Sequence, residues 1–411
     1  MIKQLRIFFN FSLSNLFIRF IGFIVFPLLS KKFDFVTFGT FILSQTIFSY
    51  FQTISDMGIK KIGIRNLNSK KKIDDKDVSL YLSLRFLIGI ALCVALFLLT
   101  LFLFDLETKK CLRCFAFSLV FISLDISWVF TAQQKIKQEM FFKVFERILY
   151  LLFVFVSLYY KSITLVCLSL CFSYLVASLT LILINKKRYN FFDFSLTKKK
   201  IAILKEGFVV GASQLLSPIF LSIDIMIINF YLTKESVAVY GAYEKIILAV
   251  ISFGWIYSYS FYPEISSLWF NKKIKKLKMI YKKSILIFLI AFLICVPLML
   301  FFDKKIIAAL FSKEYVESIS VFRCLVGMSF FAVVNALFFS SFNAMQKSKL
   351  RFKIVLMGIS LNVILNFILV MYWGITGAAI ATLVSQFLVF SCSMIAIKKI
   401  LLEKEGESCE A

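Results

Sequence analysis

Charged side chains stand inside long apolar stretches of this sequence. Arg19 lies near the middle of the first stretch, and Lys245, Asp224 and Asp125 lie deep in later ones. Placing an ionisable side chain at the centre of a membrane costs at least about 2.5–3.5 kcal/mol, so each needs a partner or a water-filled cavity. A guanidinium group can donate two parallel hydrogen bonds to a phosphate or a carboxylate. Arg19 is therefore expected either to bind an anionic group in a wet cavity or to pair with a buried carboxylate.

The other charges leave alternatives open. Lys245 and Asp224 lie at similar depth in adjacent, antiparallel stretches, where they either neutralise each other or act separately, Lys245 on substrate and Asp224 on a proton or sodium ion. Asp125 has no obvious cation in a neighbouring stretch, so it is expected to couple to protons or to be a neutral, hydrogen-bonded acid. Arg85 and Arg323 lie within about two turns of an interface, where they either extend to water or contact substrate.

The sequence lacks the residues that several common catalytic and metal-binding chemistries require. The sequence contains no histidine, which removes the usual proton shuttle and the histidine-dependent nucleophile pairs. Cys111 and Cys114 form a C-x-x-C without a second pair, so a tetrahedral zinc site lacks ligands. Asp74, Asp75 and Asp77 stand in a lysine-rich loop, which is typical of a solvated helix cap, and no phosphate-binding G-x-x-x-x-G-K-[ST] loop occurs. We therefore predict no metal site, no cofactor and no catalytic residues.

The elements that must position these charges are membrane spans. Hydrophobic residues make up 60% of the 411, and the mean hydropathy is +0.88, more apolar surface than a water-facing exterior can hide. A bilayer core about 30 Å thick needs roughly 20 helical residues per span. Polar clusters divide the chain into about twelve such spans, near 9–30, 36–55, 79–104, 113–132, 141–160, 163–184, 207–230, 238–259, 284–303, 319–342, 354–373 and 375–397.

The distribution of lysine and arginine predicts the orientation of the spans. Loops on the side of the two termini hold about 34 of the 48 basic residues, and the opposite loops hold about ten. Cytoplasmic loops of membrane proteins carry an excess of basic residues. Both termini are therefore predicted to be cytoplasmic in a multi-pass protein of the inner, cytoplasmic membrane. The net charge of +25 is spread over these loops and forms no face for nucleic acid.

An internal repeat predicts two halves. The motif A-x-Q-K-x-K follows span four at 132–137 and span ten at 344–349, six spans apart. Because six is even, the halves share one membrane orientation and are related by a pseudo-twofold axis along the membrane normal. We predict an N-terminal six-helix half at 1–190 and a C-terminal six-helix half at 191–411. An all-α membrane fold of this kind places a cavity between the halves and is typical of a secondary transporter.

Short motifs along most of the chain carry a family resemblance. They are 56–59, Arg65, Trp128, 134–135, 207–208, Asp224, 240–245, 263–266, 362–366 and 374–379. In this order they resemble the polysaccharide repeat-unit flippases, the O-antigen or Wzx type of the multidrug/oligosaccharidyl-lipid/polysaccharide exporter superfamily. The resemblance implies a MATE-like fold. It also implies movement of an undecaprenyl-pyrophosphate-linked oligosaccharide from the inner to the outer leaflet by alternating access, for O-antigen, lipopolysaccharide or capsular polysaccharide biosynthesis.

The resemblance and the deep charges together give the candidate residues. Substrate contact is predicted for Arg19, Lys245, Arg85, Arg323 and Arg65, and ion coupling for Asp224 and Asp125. The expected partners are the lipid-linked oligosaccharide, the bilayer, a proton or sodium ion, and the polymerase and glycosyltransferases of the same pathway.

Three other functions are weighed against a flippase. A multidrug/cation antiporter of the same superfamily moves cations and favours an acidic cavity, whereas Arg19 and Lys245 are basic. A membrane glycan polymerase usually carries a large outer loop with catalytic acids or arginines, and the longest outer loop here, near 303–318, is short. A scaffold without transport activity leaves the charges inside the membrane unexplained.

Overall fold

The computed structural model describes residues 2–68, 74–185, 195 and 197–409. Within these ranges the chain forms fourteen α-helices and one short 3-10 helix, Lys313–Ser318. The α-helices are α1 (Ile2–Lys32), α2 (Phe35–Asp56), α3 (Ile59–Asn68), α4 (Asp75–Phe102), α5 (Leu106–Ser123), α6 (Ser127–Ala132), α7 (Ile136–Tyr159), α8 (Ile163–Asn185), α9 (Lys198–Tyr231), α10 (Lys234–Phe270), α11 (Ile274–Phe301), α12 (Asp303–Leu310), α13 (Ile319–Ala344) and α14 (Ser348–Cys409).

The helices of the described ranges follow the predicted spans. α5 and α6 together occupy the fourth span, α14 occupies the last two, and the short helices α3 and α12 lie between spans. In the part of the chain that the structure describes, eight stretches are long and apolar enough to cross a membrane, and the last of them, Ser348–Glu405, has the length of two spans. The predicted all-helical membrane fold is confirmed.

Polar residues between spans start the next helix. Asp34 precedes α2, and its carboxylate accepts hydrogen bonds from the hydroxyl and the backbone N–H of Thr37. These bonds, that of the hydroxyl first, lower the pKa of Asp34 from its ordinary value. Asp105 caps α5 through Thr108 in the same way. Carboxylate caps satisfy the free N–H groups at a helix start and so fix where the helix begins.

The repeated sequence motif folds into the same turn in both places. Gln134 after α6 and Gln346 after α13 have φ values of 58° and 60°. In each case the next backbone N–H donates to the carbonyl oxygen five residues earlier, at 2.7 Å. A positive φ that closes such a bond is a standard way to end a helix. The repeat in sequence is therefore also a repeat in local structure.

Contacts divide the chain into two compact units, Met1–Ile219 and Phe220–Ala411. In the first unit, α4 packs on α5, α5 on α8 and α8 on α7, with α2 against α5 and α1 against α7. In the second unit, α13 packs against α10, α11 and α14. The division falls within α9, whereas the predicted boundary at 190 lies outside the described residues.

Outward-facing helix surfaces are apolar. Along α11, for example, Leu286, Ile290, Leu293 and Ile294 are all exposed. Such a surface is stable only where lipid replaces water, and a helix satisfies its backbone hydrogen bonds internally. The exposed apolar side chains therefore agree with a membrane location.

One span is interrupted near a polar residue discussed below. The fourth span is broken between α5 and α6 at 124–126, whereas Gly374, with a φ of 55°, is the turn that joins the two spans of α14. Glycine takes this backbone conformation without strain. Broken helices leave backbone groups free to bind side chains or ligands, and in transporters they often mark binding sites.

Candidate functional site

A buried carboxylate gathers polar side chains in the second unit. Asp224 of α9 is 1% exposed. Its Oδ2 accepts hydrogen bonds from the hydroxyls of Tyr240, at 2.7 Å, and Thr382, at 2.6 Å. Its Oδ1 accepts a hydrogen bond from Nδ2 of Asn366 at 2.7 Å, and Asn362 donates to the Thr382 hydroxyl at 3.3 Å. Helices α10 and α14 thus bring neutral hydrogen-bond donors to one acid of α9.

Several oxygen atoms beside this carboxylate are unused. The side-chain carbonyl oxygens of Asn362 and Asn366, and Oε1 of Glu244, are buried without a hydrogen-bond partner among the described residues. A cavity of about 10 Å³, close to the space of one water molecule, is lined by Asp224, Glu244 and Thr382 among others. Carboxylate, amide and hydroxyl oxygens are the ligands that hard cations prefer. This cluster can therefore hold a proton or a small cation such as sodium.

The structure gives Lys245 a different partner from the one expected. Its Nζ lies 3.0 Å from Oε2 of Glu244, and only 13% of the Lys245 side chain is exposed. The structure thus gives the ammonium of Lys245 a carboxylate partner on its own helix, where the sequence had offered Asp224. Glu244 belongs to a motif noted in the sequence, but its role as a counter-ion was missed.

In the first unit, Asp125 lies at the break between α5 and α6. Its Oδ1 accepts a hydrogen bond from the backbone N–H of Ser127 at 2.8 Å, where α6 begins. Its Oδ2 lies 2.8 Å from Nζ of Lys143 and 3.7 Å from Nζ of Lys60. The expectation that Asp125 has no cation partner is wrong, because α7 and α3 bring two lysines to it.

Arg85 of α4 holds the same helix break together. It is 2% exposed, and its Nη1 and Nη2 donate to the carbonyl oxygens of Asp125, at 2.6 Å, and Ile122, at 3.0 Å. Carbonyl groups at the end of a helix have no partner within the helix and need one from elsewhere. Arg85 supplies it, so the expectation that it extends to water is wrong. To contact a substrate it would have to release these carbonyls.

A polar stripe on α7 extends this charged cluster. Residues 139, 143, 146, 147 and 150 are all polar and share one face at helical spacing. Glu146 lies 3.5 Å from Nζ of Lys143 and 3.6 Å from Nη2 of Arg147. The predicted span at 141–160 contains both basic residues, but sequence reasoning did not name them among the charges inside the membrane. The helical period of the stripe was the signal that could have identified them.

The remaining predicted residues have other surroundings. Arg19 is exposed on α1. Arg65 of α3 pairs with Glu206 at 2.7 Å near the surface of the first unit, and this hydrogen bond raises the pKa of Arg65. In the second unit, Arg323 pairs with Asp303 at 2.7 Å. In the first unit, Arg65 and Arg85 bind different groups. In the second unit, Arg323 and Lys245 also bind different groups. The predicted cations of a unit therefore do not share one partner.

A comparison with protein families identifies the group to which the chain belongs. The sequence model of a family described as polysaccharide biosynthesis protein matches residues 5–269, more than half of the chain. The chain belongs to this family. An uncharacterized membrane protein of Methanocaldococcus jannaschii is 31% identical to this family member over 261 residues, which are 60% of this chain and 61% of that protein.

A second relative carries a functional name. The probable low-salt glycan biosynthesis flippase Agl15 of Haloferax volcanii is 25% identical over 165 residues, which are 39% of this chain and 34% of that protein. The chain thus spans about three fifths of the first relative and about a third of the second.

Solved structures share the fold of this chain over nearly its whole length. The lipid II flippase MurJ in an inward closed conformation has a TM-score of 0.77 at 18% identity, covering 96% of this chain and 90% of that chain. An inward-facing multidrug resistance MATE family transporter of the MOP superfamily has a TM-score of 0.66 at 14% identity, covering 97% and 95%. The predicted MATE-like fold is confirmed. By their titles, the two solved structures are those of a flippase and a transporter.

Proposed function

We propose that this protein moves an undecaprenyl-pyrophosphate-linked oligosaccharide from the inner to the outer leaflet of the cytoplasmic membrane, for O-antigen or capsular polysaccharide biosynthesis. The observation that carries the proposal is the match of the polysaccharide biosynthesis family to residues 5–269. The MurJ-like fold of the whole chain and the flippase name of the Haloferax relative support it. In this proposal both termini are cytoplasmic, and the polymerase and glycosyltransferases of the pathway act before and after the flip.

The barrier to flipping is the desolvation of the headgroup. A pyrophosphate and several sugars would have to leave water for hydrocarbon, whereas the lipid tail can stay in the bilayer. A cavity lined with cations and water replaces the lost hydration. We assign this contact to Arg19 and Lys245, with Arg65 and Arg323 as further candidates. The pair of Arg65 with Glu206 is exposed on both sides, so it can open at a cost of about 0–1 kcal/mol. The side chain of Arg323 is also more than half exposed, but opening its pair costs more because it leaves the buried Asp303 without its cation.

Membrane potential can drive the outward step. A headgroup with about two negative charges gains up to about 4–5 kcal/mol per 100 mV when it leaves a cell that is negative inside. Inward movement of a proton or sodium ion bound at Asp224 would add to this driving force. Rocking of two halves that share one membrane orientation then gives alternating access, as proposed from the sequence repeat.

Reconstitution in liposomes tests the proposal. Purified protein and a fluorescent lipid-linked oligosaccharide are incorporated, and exposure of the sugar on the opposite leaflet is followed with and without a potential and a sodium or pH gradient. We expect faster exposure than in protein-free liposomes, stimulation by both forces, and loss of the ion stimulation in Asp224→Asn. The exposed acid Glu107, substituted to Gln, is the control and should leave the ion stimulation intact. Exposure at the protein-free rate would refute the flippase, and ion stimulation retained in Asp224→Asn would refute the coupling site.

One observation favours a cation antiporter as the second candidate. Two acids, Asp224 and Glu244, line the small cavity of the second unit. Carboxylates attract cations, and the MATE transporters share the fold. Because the cavity has the space of about one water molecule, it would have to widen to admit a cationic drug. The two functions separate in one strain, because an antiporter raises resistance to cationic dyes and a flippase restores surface glycan in a strain that lacks its own.

A further inference from the structure

A second cavity of the second unit is lined by none of the residues of the Asp224 cluster. It has a volume of about 260 Å³ and lies between α11, α13 and the last turns of α14. Its lining is mostly apolar, including Ile285, Phe338 and Met394, but two lysines, Lys278 and Lys398, also line it. An apolar cavity with cations in its wall suits a ligand that has both an anionic and a hydrocarbon part.

The two helices place the lysines at one end of this cavity. On α11, Lys278 and Ile285 are seven residues apart, about 10 Å along the helix. Helix α14 runs back towards the side on which α11 begins, and there Met394 precedes Lys398 by one turn. The basic loop before α11 and the basic end of α14 are both predicted to be cytoplasmic. The lysines therefore lie towards the cytoplasmic headgroup region, and Ile285 and Met394 lie deeper in the bilayer.

The end of the cavity at which the two lysines lie, its opening, has strongly positive surroundings. Residues 272–283 and 398–405 together contain ten lysines and two glutamates. Lys278 forms an ion pair with Glu405, and Lys404 lies over the ring of Trp269, 5.7 Å from its centroid, so the end of α14 is held beside the opening. One glutamate does not balance this excess of lysine, and basic pockets between spans on the cytoplasmic side are a known mode of binding anionic lipid headgroups.

A buried hydroxyl adds a second, independent sign of a ligand. Tyr281 lines the same cavity, one turn after Lys278, and is 5% exposed. Its hydroxyl makes no well-formed hydrogen bond among the described residues, although the Ser341 side chain is close enough to interact with it. A buried hydroxyl without a well-formed hydrogen bond is unfavourable, so a polar group of a bound molecule would stabilise it.

We propose that this cavity is a binding site for an anionic phospholipid of the cytoplasmic leaflet. One acyl chain fills the space beside Ile285 and Met394, the phosphate lies between the ammonium groups of Lys278 and Lys398, and a glycerol or ester oxygen accepts from Tyr281. The excess of lysine favours an anionic headgroup over a zwitterionic one. This site is separate from the proposed path of the lipid-linked oligosaccharide, and its test does not require transport.

Lipid retention in native mass spectrometry tests the site. The full-length protein is reconstituted in nanodiscs of phosphatidylglycerol and phosphatidylcholine in equal amounts, released, and the retained lipids are counted. Lys278→Gln with Lys398→Gln removes the two ammonium groups at the cavity. Lys276→Gln with Lys399→Gln is the matched control, because these exposed lysines of the same helices do not line the cavity and the charge change is equal.

The wild-type protein and the control should retain phosphatidylglycerol in preference to phosphatidylcholine. In the Lys278 and Lys398 variant, the ratio of retained phosphatidylglycerol to phosphatidylcholine should fall by a factor of at least about five. This is the effect expected from about one lysine near an anionic membrane surface. A third variant, Ile285→Trp, fills the apolar end and should reduce retention of both lipids without touching the lysines. Equal preference for phosphatidylglycerol in the cavity and control variants would overturn the site. Displacement of the retained lipid by undecaprenyl phosphate, in a manner that does not depend on the lysines, would assign the cavity to the isoprenoid tail instead and would also overturn it.

Discussion

The ion pair between Asp125 and Lys143 gives the sharpest test of the first unit. Lys143→Met removes the ammonium group and keeps most of the side-chain length. A matched control exists elsewhere in the chain, because Lys110 and Glu107 form a pair at nearly the same distance, 2.7 Å against 2.8 Å. The two pairs differ in exposure: 55% of the Glu107 side chain is exposed, but only 7% of the Asp125 side chain. Burial separates the two substitutions, together with the second contact of Lys143, which lies 3.5 Å from Glu146.

The expected loss of stability follows from this difference. At an effective dielectric constant of about 20, unit charges 2.8 Å apart attract by about 6 kcal/mol. Lys60 at 3.7 Å still compensates Asp125, and a quarter of the Lys143 side chain is exposed, so the full value is not lost. Removing one partner of a buried pair typically costs about 3–5 kcal/mol, and we expect about 3 kcal/mol here. Lys110→Met should cost no more than about 1 kcal/mol.

Reversible unfolding in mixed micelles with increasing dodecyl sulfate measures both free energies. Adding Asp125→Asn to Lys143→Met completes a double-mutant cycle, in which a direct pair should give a coupling energy of about 1.5–3 kcal/mol. Equal losses for Lys143→Met and Lys110→Met, or a coupling energy below about 0.5 kcal/mol, would refute the reasoning. Such a result would mean that water or Lys60 screens Asp125 fully despite its burial.

Three further substitutions have defined outcomes. Arg85→Lys replaces a fork that binds two carbonyl oxygens by a single ammonium, and should lower the free energy of unfolding by about 1.5–3 kcal/mol in the same assay; an unchanged value would contradict the role of Arg85 at the helix break. Gly377→Ala places a Cβ 2.1 Å from the carbonyl oxygen of Leu369 and should reduce the yield of folded protein in size-exclusion chromatography, whereas Gly327→Ala meets nothing closer than 3.9 Å and should not. Asp34→Ala removes a helix cap and should cost about 1 kcal/mol at neutral pH. Because folding lowers the pKa of Asp34, its contribution is present above the ordinary pKa of 3.8 and is lost as the pH falls through the folded value, so the cost of the substitution should shrink in unfolding measured at decreasing pH.

Some features followed from the sequence because local rules determine them. Spans depend on apolar length, and the acidic run that begins at Asp74 lies next to the helix it starts, where the Asp74 carboxylate accepts a hydrogen bond from the backbone N–H of Lys76. The repeated turn at Gln134 and Gln346 was visible as a motif because both copies use the same residues.

The partners of the buried charges did not follow from the sequence. Asp125 and Lys143 are eighteen residues apart, and they meet only because the chain is broken between α5 and α6. No proline or glycine marks this break in the sequence. Asp224 and Thr382 are 158 residues apart, and their contact depends on how α9 and α14 pack. Hydrophobic periodicity describes which face of a helix is buried, but it does not say which helix lies against that face.

The contrast between the two buried acids bears on which of them can couple to an ion. At Asp125 the carboxylate already lies against the ammonium of Lys143, so an incoming cation would have to displace a charge of the same sign. At Asp224 the carboxylate accepts hydrogen bonds from neutral groups, and the carbonyl oxygens of Asn362 and Asn366 beside it are unused. A cation can join these oxygens by rotating hydroxyl groups, without breaking an ion pair. Of the two acids predicted for ion coupling, the geometry therefore favours Asp224, and it gives Asp125 the task of holding α6, α7 and α3 together at the helix break.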